Sequence, residues 1–351
     1  MRIPVLILLA WGQAALAEAP RVITDIAPVQ SLVATVMEGV GEPGLLMDQG
    51  ADPHDFQMRP SQARAVAGAD LVVWMGPDLA PWLDRVLDTL GDAALSRVLL
   101  DLEPLPMRIE GAAATMEAPE AMFSTAPYDG PTVDLLGGDQ HGDHHHGEDH
   151  DHAEEDHTKH DHAEDAHAAH DHGHDHGPVD PHAWLDPGNA AAFLRVIAAD
   201  LAALDPENAV RYAANAAAAI DRLKALHNRL SERLADAHVL PIITSHDAYS
   251  YFLVRYGMNP RGSLRDSHAA QPSAARLSQI IADLDGDVAG GCVFLEPGES
   301  PDLFEGLGLG PDFHIGIFDP TGATLEPGPA LYEALIEGMA TAIEGCASAL
   351  N

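Results

Sequence analysis

The feature that most limits how this chain can fold is a stretch of about thirty residues without glycine or proline, from Glu207 to about Ala237. Asp205-Pro206-Glu207 opens it with an Asp suited to an N-cap and a Pro suited to a first helical turn. Ile220, Leu223, Leu226, Leu230 and Leu234 then recur at helical spacing. At 1.5 Å per residue the helix is a rod of about 45 Å. That length suits a rigid connector better than an element inside one small domain. The expectation is an N-terminal lobe over 18–206, a connecting helix over 207–237 and a C-terminal lobe over 238–351.

Both flanks alternate β-branched runs with helical patterns. Before the rod, Val22–Ile26, Leu71–Trp74 and Val98–Leu102 read as strands, and Pro28–Met37, Ser61–Ala67 and Leu79–Leu90 as helices. After it, Val239–Thr244, Cys292–Leu295 and His314–Phe318 read as strands, and Asp247–Tyr256, Ser273–Leu284 and Ala330–Ala347 as helices. Such alternation implies parallel sheets covered on both faces. The expected fold is therefore α/β, two lobes joined by a long helix. Open α/β sheets bind ligands beyond the carboxyl ends of their strands, here in the cleft between the lobes.

The pattern stops between about Glu103 and Pro178. Within that gap lie His141, His144, His145, His146, His150, His152, His157, His160, His162, His167, His170, His172, His174 and His176, fourteen of the chain's 21 histidines. Twelve acidic residues and one lysine accompany them, a net −11 out of −37 for the whole chain. A segment of this composition cannot bury enough surface to offset its ordering entropy, so about 138–178 is expected to be a disordered His/Asp-rich loop. The remaining −26 is spread over the lobes. A balance this acidic excludes nucleic acid and anionic membrane surfaces as partners, while an apolar share of 46% is that of a globular protein.

Residues 1–17 combine Arg2, an apolar run from Ile3 to Ala10 and Ala15-Leu16-Ala17, the pattern of a cleaved signal peptide. The leader's run is far short of the ~20 residues a span needs, and no other stretch reads as long and apolar enough to cross a bilayer. The expected product is exported, soluble and periplasmic, without a lipid or membrane anchor. The two cysteines, Cys292 and Cys346, are expected to pair in that oxidising compartment, which would contribute about 3–4 kcal/mol for a loop of this length.

Seven histidines lie outside the loop. Three of them stand in turns or at a strand end: His54 in Ala51-Asp52-Pro53-His54-Asp55-Phe56, His182 in Asp180-Pro181-His182-Ala183-Trp184-Leu185-Asp186-Pro187, and His246 in Thr244-Ser245-His246-Asp247. Each has an acid or a backbone-rich turn close by to hold its second ring nitrogen. Three neutral imidazoles suit Zn²⁺. His227 reads as a solvated residue of the rod; His238, His268 and His314 read as surface or structural, His268 with the alternative of lining the cleft.

These strings, together with Arg59-Pro60-Ser61, His246-Asp247-Ala248-Tyr249-Ser250-Tyr251-Phe252, Asp319-Pro320-Thr321-Gly322 and the cysteine pair, resemble the metal-specific substrate-binding proteins of ABC transporters, and within them the periplasmic zinc-uptake receptors. The resemblance runs from about Val22 to the C-terminus and includes the His/Asp-rich insertion. It implies a monomeric receptor with His54, His182 and His246 as Zn²⁺ ligands in the cleft, serving a membrane permease and its ATPase. A carboxylate usually replaces His246 in manganese-type relatives. Asp319 matches a position that supplies a carboxylate in some relatives, and is either a fourth ligand or a turn-forming Asp whose place is left to water. The His-rich loop is expected to collect zinc at low affinity. Two other readings stand beside the receptor: a zinc hydrolase, with Glu296 as the candidate base, and a periplasmic metal buffer acting through the loop alone.

Overall fold

In the computed structural model, which describes residues 19–91, 95–110, 113–116, 119–133, 179–265, 273–284, 290–309 and 312–350, the first alternating series builds a parallel sheet. Its elements are β1 (Val22–Thr24), α1 (Ala27–Val36), β2 (Gly44–Leu45), α2 (Pro60–Ala67), β3 (Leu71–Trp74), α3 (Pro81–Leu90) and β4 (Ser96–Val98), with strand order β2-β1-β3-β4. All four residues of β3 are buried, as expected of a central strand covered on both faces. Each of the three helices carries Pro in its first turn, where the missing N–H costs nothing. The strand expected over Val98–Leu102 lies earlier, at Ser96–Val98. Leu99 and Leu100 still donate to the Trp74 and Met75 carbonyls at the end of β3, and both side chains are buried.

The region after Glu103 is not patternless throughout. β5 (Met107–Glu110) and β6 (Ala113–Met116) form an antiparallel hairpin, followed by the short helix α4 (Pro119–Met122). The leader, the His/Asp-rich segment and His268 lie outside the described residues.

The long helix is shorter than expected. α5 (Pro187–Leu204) ends at Asp205, and α6 (Ala209–Arg233) begins after Asn208. Its 25 residues make a rod of about 37 Å. Asp205 is not its N-cap: its carboxylate accepts from Asn208 and from Tyr212 Oη, bracing the turn between the two helices. A further correction concerns α5, which is long and apolar enough to cross a bilayer by length and composition. Most of it is buried in the core, and its Asp200 is held by Arg97 at 2.7 Å.

The second sheet contains β7 (Pro241–His246), β8 (Asn259–Arg265), β9 (Gly291–Leu295) and β10 (Phe313–Ile317), in the order β10-β9-β7-β8 and all parallel. α7 (Ser250–Arg255), α8 (Ala274–Leu284) and α9 (Leu331–Leu350) accompany it. β7 starts two residues later than expected, because Ala237–Val239 makes a 3-10 turn. β8 carries Pro260 and Gly262, which an edge strand tolerates and a central one does not.

One apolar cluster runs from the first sheet through α1, α5, α6 and α9 to the second sheet. A smaller one, built around Ile243, Ile280, Val293 and Phe304, covers that sheet's other face. α6 buries Tyr212, Ala216, Ile220, Leu223, Leu226 and Leu230 along one stripe. On its surface Arg222 pairs with Glu333, and Arg233 with Glu337 and Glu344, all on α9. The rod is thus a seam clamped along its length. Cys292 and Cys346 are joined, tying α9 to the start of β9.

Candidate metal centre

The turn holding His54 is closed by its own sequence. Asp52 Oδ1 accepts the His54 N–H at 2.9 Å, an Asx turn in which Pro53 fixes the intervening φ. Trp82 Nε1 pins the turn by donating to the Pro53 carbonyl at 2.8 Å. The same device recurs at His182, whose N–H donates to Asp180 Oδ1 at 3.0 Å across Pro181. His182 then caps a 3-10 turn (Ala183–Leu185), and Trp184 Nε1 donates to the Pro320 carbonyl at 2.8 Å. Two copies of Asp-Pro-His therefore present two imidazoles from different parts of the chain. His246 needs no such turn, because it is the last residue of β7.

The three rings meet. Ring centroids lie 5.3 Å apart for His54 and His182, 5.8 Å for His54 and His246, and 5.2 Å for His182 and His246. One nitrogen from each lies within 4.8 Å of the other two, and all three residues are buried. His54 Nε2 and His182 Nε2 are 3.2 Å apart. Two nitrogens bound tetrahedrally to one Zn²⁺ at 2.0–2.1 Å would be about 3.3 Å apart, so the spacing fits the ion. The cavity against His182 and His246 measures about 40 Å³ and is lined also by Gly50, Ala51, Pro297, Thr321 and Ala323. It lies beyond the carboxyl ends of the strands, where parallel sheets place ligands.

Carboxylates fix the orientation of two of the rings. His182 Nδ1 lies 2.8 Å from Asp180 Oδ1, and His246 Nδ1 lies 3.1 Å from Glu296 Oε1. A ring whose Nδ1–H is held by a carboxylate keeps its Nε2 lone pair for a metal. Glu296 Oε1 also accepts from Tyr249 Oη at 2.8 Å. Burial and the Glu296 charge push the Tyr249 phenol well above its ordinary range, so it remains a donor. Arg265, bonded to Ser245 O and to Glu299, adds a buried guanidinium beside these groups. Sequence reasoning named Asp180 only as part of a motif and gave Glu296 a different role. Asp180 stands two residues before its histidine, whereas Glu296 is fifty residues away and only the pairing of β7 with β9 brings it near.

Asp319 is not in the histidine group. Its Oδ1 accepts from Ala323 N at 2.8 Å, and its Oδ2 from Thr324 N and Thr324 Oγ1 at 2.9 and 2.8 Å. His227, expected on a solvated face, is instead sandwiched between Phe123 and Tyr256 at 5.4 and 5.6 Å. Burial, aided by the Arg255 charge, holds its pKa below the ordinary imidazole value. His238 is exposed and bonded to Ala235 O, and His314 lies exposed on the edge strand β10.

Comparison with known proteins gives this geometry a context. A high-affinity zinc uptake system protein ZnuA of Paracoccus denitrificans is 41% identical over 344 residues, covering 97% of this chain and 96% of that protein. The protein of the same name from Brucella suis is 34% identical over 340 residues, covering 96% and 94%. Among solved structures, the periplasmic zinc-binding protein TroA of Treponema pallidum shares the fold at a TM-score of 0.66 and 16% identity, covering 95% of this chain and all of that one. Zn(II)-bound AdcA of Streptococcus pneumoniae matches at a TM-score of 0.60 and 18% identity, over 93% of this chain and 58% of its own length. The family profile described as ZnuA, the periplasmic component A of the zinc-uptake complex, matches residues 22–346. The chain belongs to this family.

Proposed function

We propose that this protein is the periplasmic receptor of a zinc ABC importer, capturing Zn²⁺ with His54, His182 and His246 and delivering it to a membrane permease driven by its ATPase. The observation that carries the reading is the convergence of three buried imidazoles from three separate segments. Their nitrogen spacing suits a tetrahedral ion, and an all-imidazole set favours Zn²⁺ over harder cations. Family membership supports the same cargo and compartment.

The cycle is ligand exchange without bond chemistry. Asp180 and Glu296 hold His182 and His246 in the tautomer that binds metal, so the site loads without first turning its rings. The site draws on both sheets: His54 follows β2, and His246 ends β7. The clamped seam of α6 and α9 permits only limited movement between the proposed lobes, 18–206 and 238–351, about the helix assigned to 207–237. Asp319 stays outside the coordination sphere because its two oxygens cap a turn, and the fourth place is left to water. Residues 1–17 are a cleaved leader, the mature protein is a monomer, and the fourteen-histidine loop collects zinc near the cleft at low affinity.

The hydrolase reading loses its base here. Glu296 accepts from Tyr249 and lies against His246, which leaves it poorly placed to take a proton from an attacking water. The test is zinc titration by calorimetry or native mass spectrometry of the wild type, a deletion of residues 141–176 and His54→Ala. One tight site that survives the deletion and disappears in His54→Ala is the expected result. Loss of all binding with the loop would favour a buffer, and zinc-dependent ester or amide turnover would favour an enzyme.

A further inference from the structure

A second cavity, of about 200 Å³, opens between β7, α7, β8 and α8, behind the segment that carries His246. Its walls include Thr244, Ser250, Ser263 and Gln279, together with two guanidinium groups, Arg261 and Arg276. Cations are scarce in this chain, 18 against 55 acids, and carboxylates take up many of the described ones: Arg21 faces Asp70, Arg97 faces Asp200, Arg255 faces Asp186 and Arg265 faces Glu299. Arg261 makes no hydrogen bond or ion pair among the described residues, and its Nε is shut away from solvent. A buried N–H without an acceptor is costly, and such groups are rare unless something else completes them.

Arg276 is fixed on the facing wall. Its Nε donates to Ser263 O at 2.8 Å and its outer nitrogen to Ser263 Oγ at 2.9 Å. The charged and titratable groups facing this space are Arg261, Arg276, Asp247 and Tyr249. Asp247 lies 3.8 Å from Arg276 and offsets that charge in part. The Tyr249 phenol is spent on Glu296. Among the described residues the charge of Arg261 has no counterion, and the pocket's remaining walls carry the hydroxyls of Thr244, Ser250 and Ser263.

We propose that this cavity is a binding site for a small oxyanion, a carboxylate or a phosphate, with Arg261 as its principal ligand. A guanidinium matches the planar fork of either group with two parallel charge-assisted bonds. The Ser250 hydroxyl lines the same cavity. The site is separate from the metal centre, and its occupancy does not require zinc.

The test is calorimetric titration of the metal-free, full-length protein with succinate and, separately, with inorganic phosphate. Expected is one saturable site of millimolar or tighter dissociation constant for at least one of them. Arg261→Ala should weaken it about tenfold or more, with Arg261→Gln used if the alanine variant loses its folded circular-dichroism signal. Arg85→Ala, which removes an exposed charge from α3 outside the cavity, should leave it unchanged. Binding of succinate alone assigns a carboxylate ligand, binding of phosphate alone a phosphate, and binding of both a general oxyanion site. Absence of saturable binding for either anion, or equal weakening by Arg85→Ala and Arg261→Ala, overturns the proposal.

Discussion

Glu296 Oε1 lies 3.1 Å from His246 Nδ1, although fifty residues separate them along the chain. The contact exists because β7 and β9 are parallel neighbours, so that the residue ending one strand and the residue following the other emerge side by side. Removing an outer partner of a metal-binding imidazole lowers affinity about 10–100-fold. Glu296→Ala is therefore expected to weaken zinc binding by that factor in competition with a chromophoric chelator, with Tyr249→Phe intermediate. Wild-type affinity in Glu296→Ala would show that the carboxylate does not set the ring.

Each of the three histidines should be indispensable to the tight site. Zinc at one hundred times its dissociation constant adds about 2.7 kcal/mol to the stability of a folded protein that binds it. In the loop-deleted background this appears as a zinc-dependent rise in the denaturation midpoint. His54→Ala, His182→Ala and His246→Ala should each abolish the rise, whereas Asp319→Asn should keep most of it. A large loss in Asp319→Asn would place its carboxylate on the ion.

Asp25 supplies a pH signature unrelated to the metal. It is fully buried at the end of β1, accepting from Ile26 N and Met75 N, and burial raises its pKa from 3.8 to about 6. The folded state thus holds this proton more tightly than the unfolded chain does. Above pH 6 the buried charge costs roughly 3 kcal/mol, and the cost is relieved as pH falls from 6 towards 4. Denaturant midpoints of metal-free wild type and Asp25→Asn, compared at pH 7.5 and pH 5, should shift in favour of the wild type at the lower pH. A difference independent of pH would mean that the carboxyl titrates normally.

Two kinds of ion pair should differ in weight. Arg233 binds Glu337 and Glu344 on the surface between α6 and α9, and exposed pairs contribute about 0.2–1 kcal/mol each. Arg255 and Asp186 are buried, joining α7 to the N-cap of α5, and stranding one partner of such a pair costs about 3–5 kcal/mol. Urea denaturation should find Arg255→Ala several times more damaging than Arg233→Ala, with only the latter effect shrinking in high salt.

The disulfide and the metal centre should be separable. Cys292 stands near the start of β9 and Glu296 just past its end, so the bridge to Cys346 is anchored at the opposite end of the strand from the site. Reduction should lower stability by about 3–4 kcal/mol while zinc affinity stays within a few-fold of the oxidised protein. A matching fall in affinity would indicate that α9 must be tied down to keep the site assembled.

Much of this was readable in advance where one physical signal dominated. β3 was predicted at its observed limits because four consecutive apolar residues admit little else. His54 and His182 stood out because Asp-Pro-His writes its turn into three adjacent residues. The failures share another cause. β8 was missed because Pro260 and Gly262 erase the strand pattern that its edge position makes unnecessary. α6 was started too early because Asp205-Pro206 fits a helix opening, whereas the Asp205 carboxylate serves Asn208 and Tyr212 instead. The burial of His227 and the service of Glu296 depend on packing between distant elements, which no local pattern records.

The three proposed ligands lie far apart along the sequence. His54 and His182 are 128 residues apart, and His246 lies a further 64 along. Gathering three imidazoles over such spans in an unfolded chain would require closing two long loops at once, an entropic cost that the folded chain has already met. Folding brings the three rings together without the ion. The proposed collector at 141–176 differs: its histidines are near neighbours in sequence, so no long loop has to close for them to share a metal. Metal bound alike by folded and unfolded molecules cancels from the folding equilibrium. Excess zinc therefore stabilises folding-impaired variants of this protein through the three-histidine site alone, and deletion of the run should leave that gain unchanged.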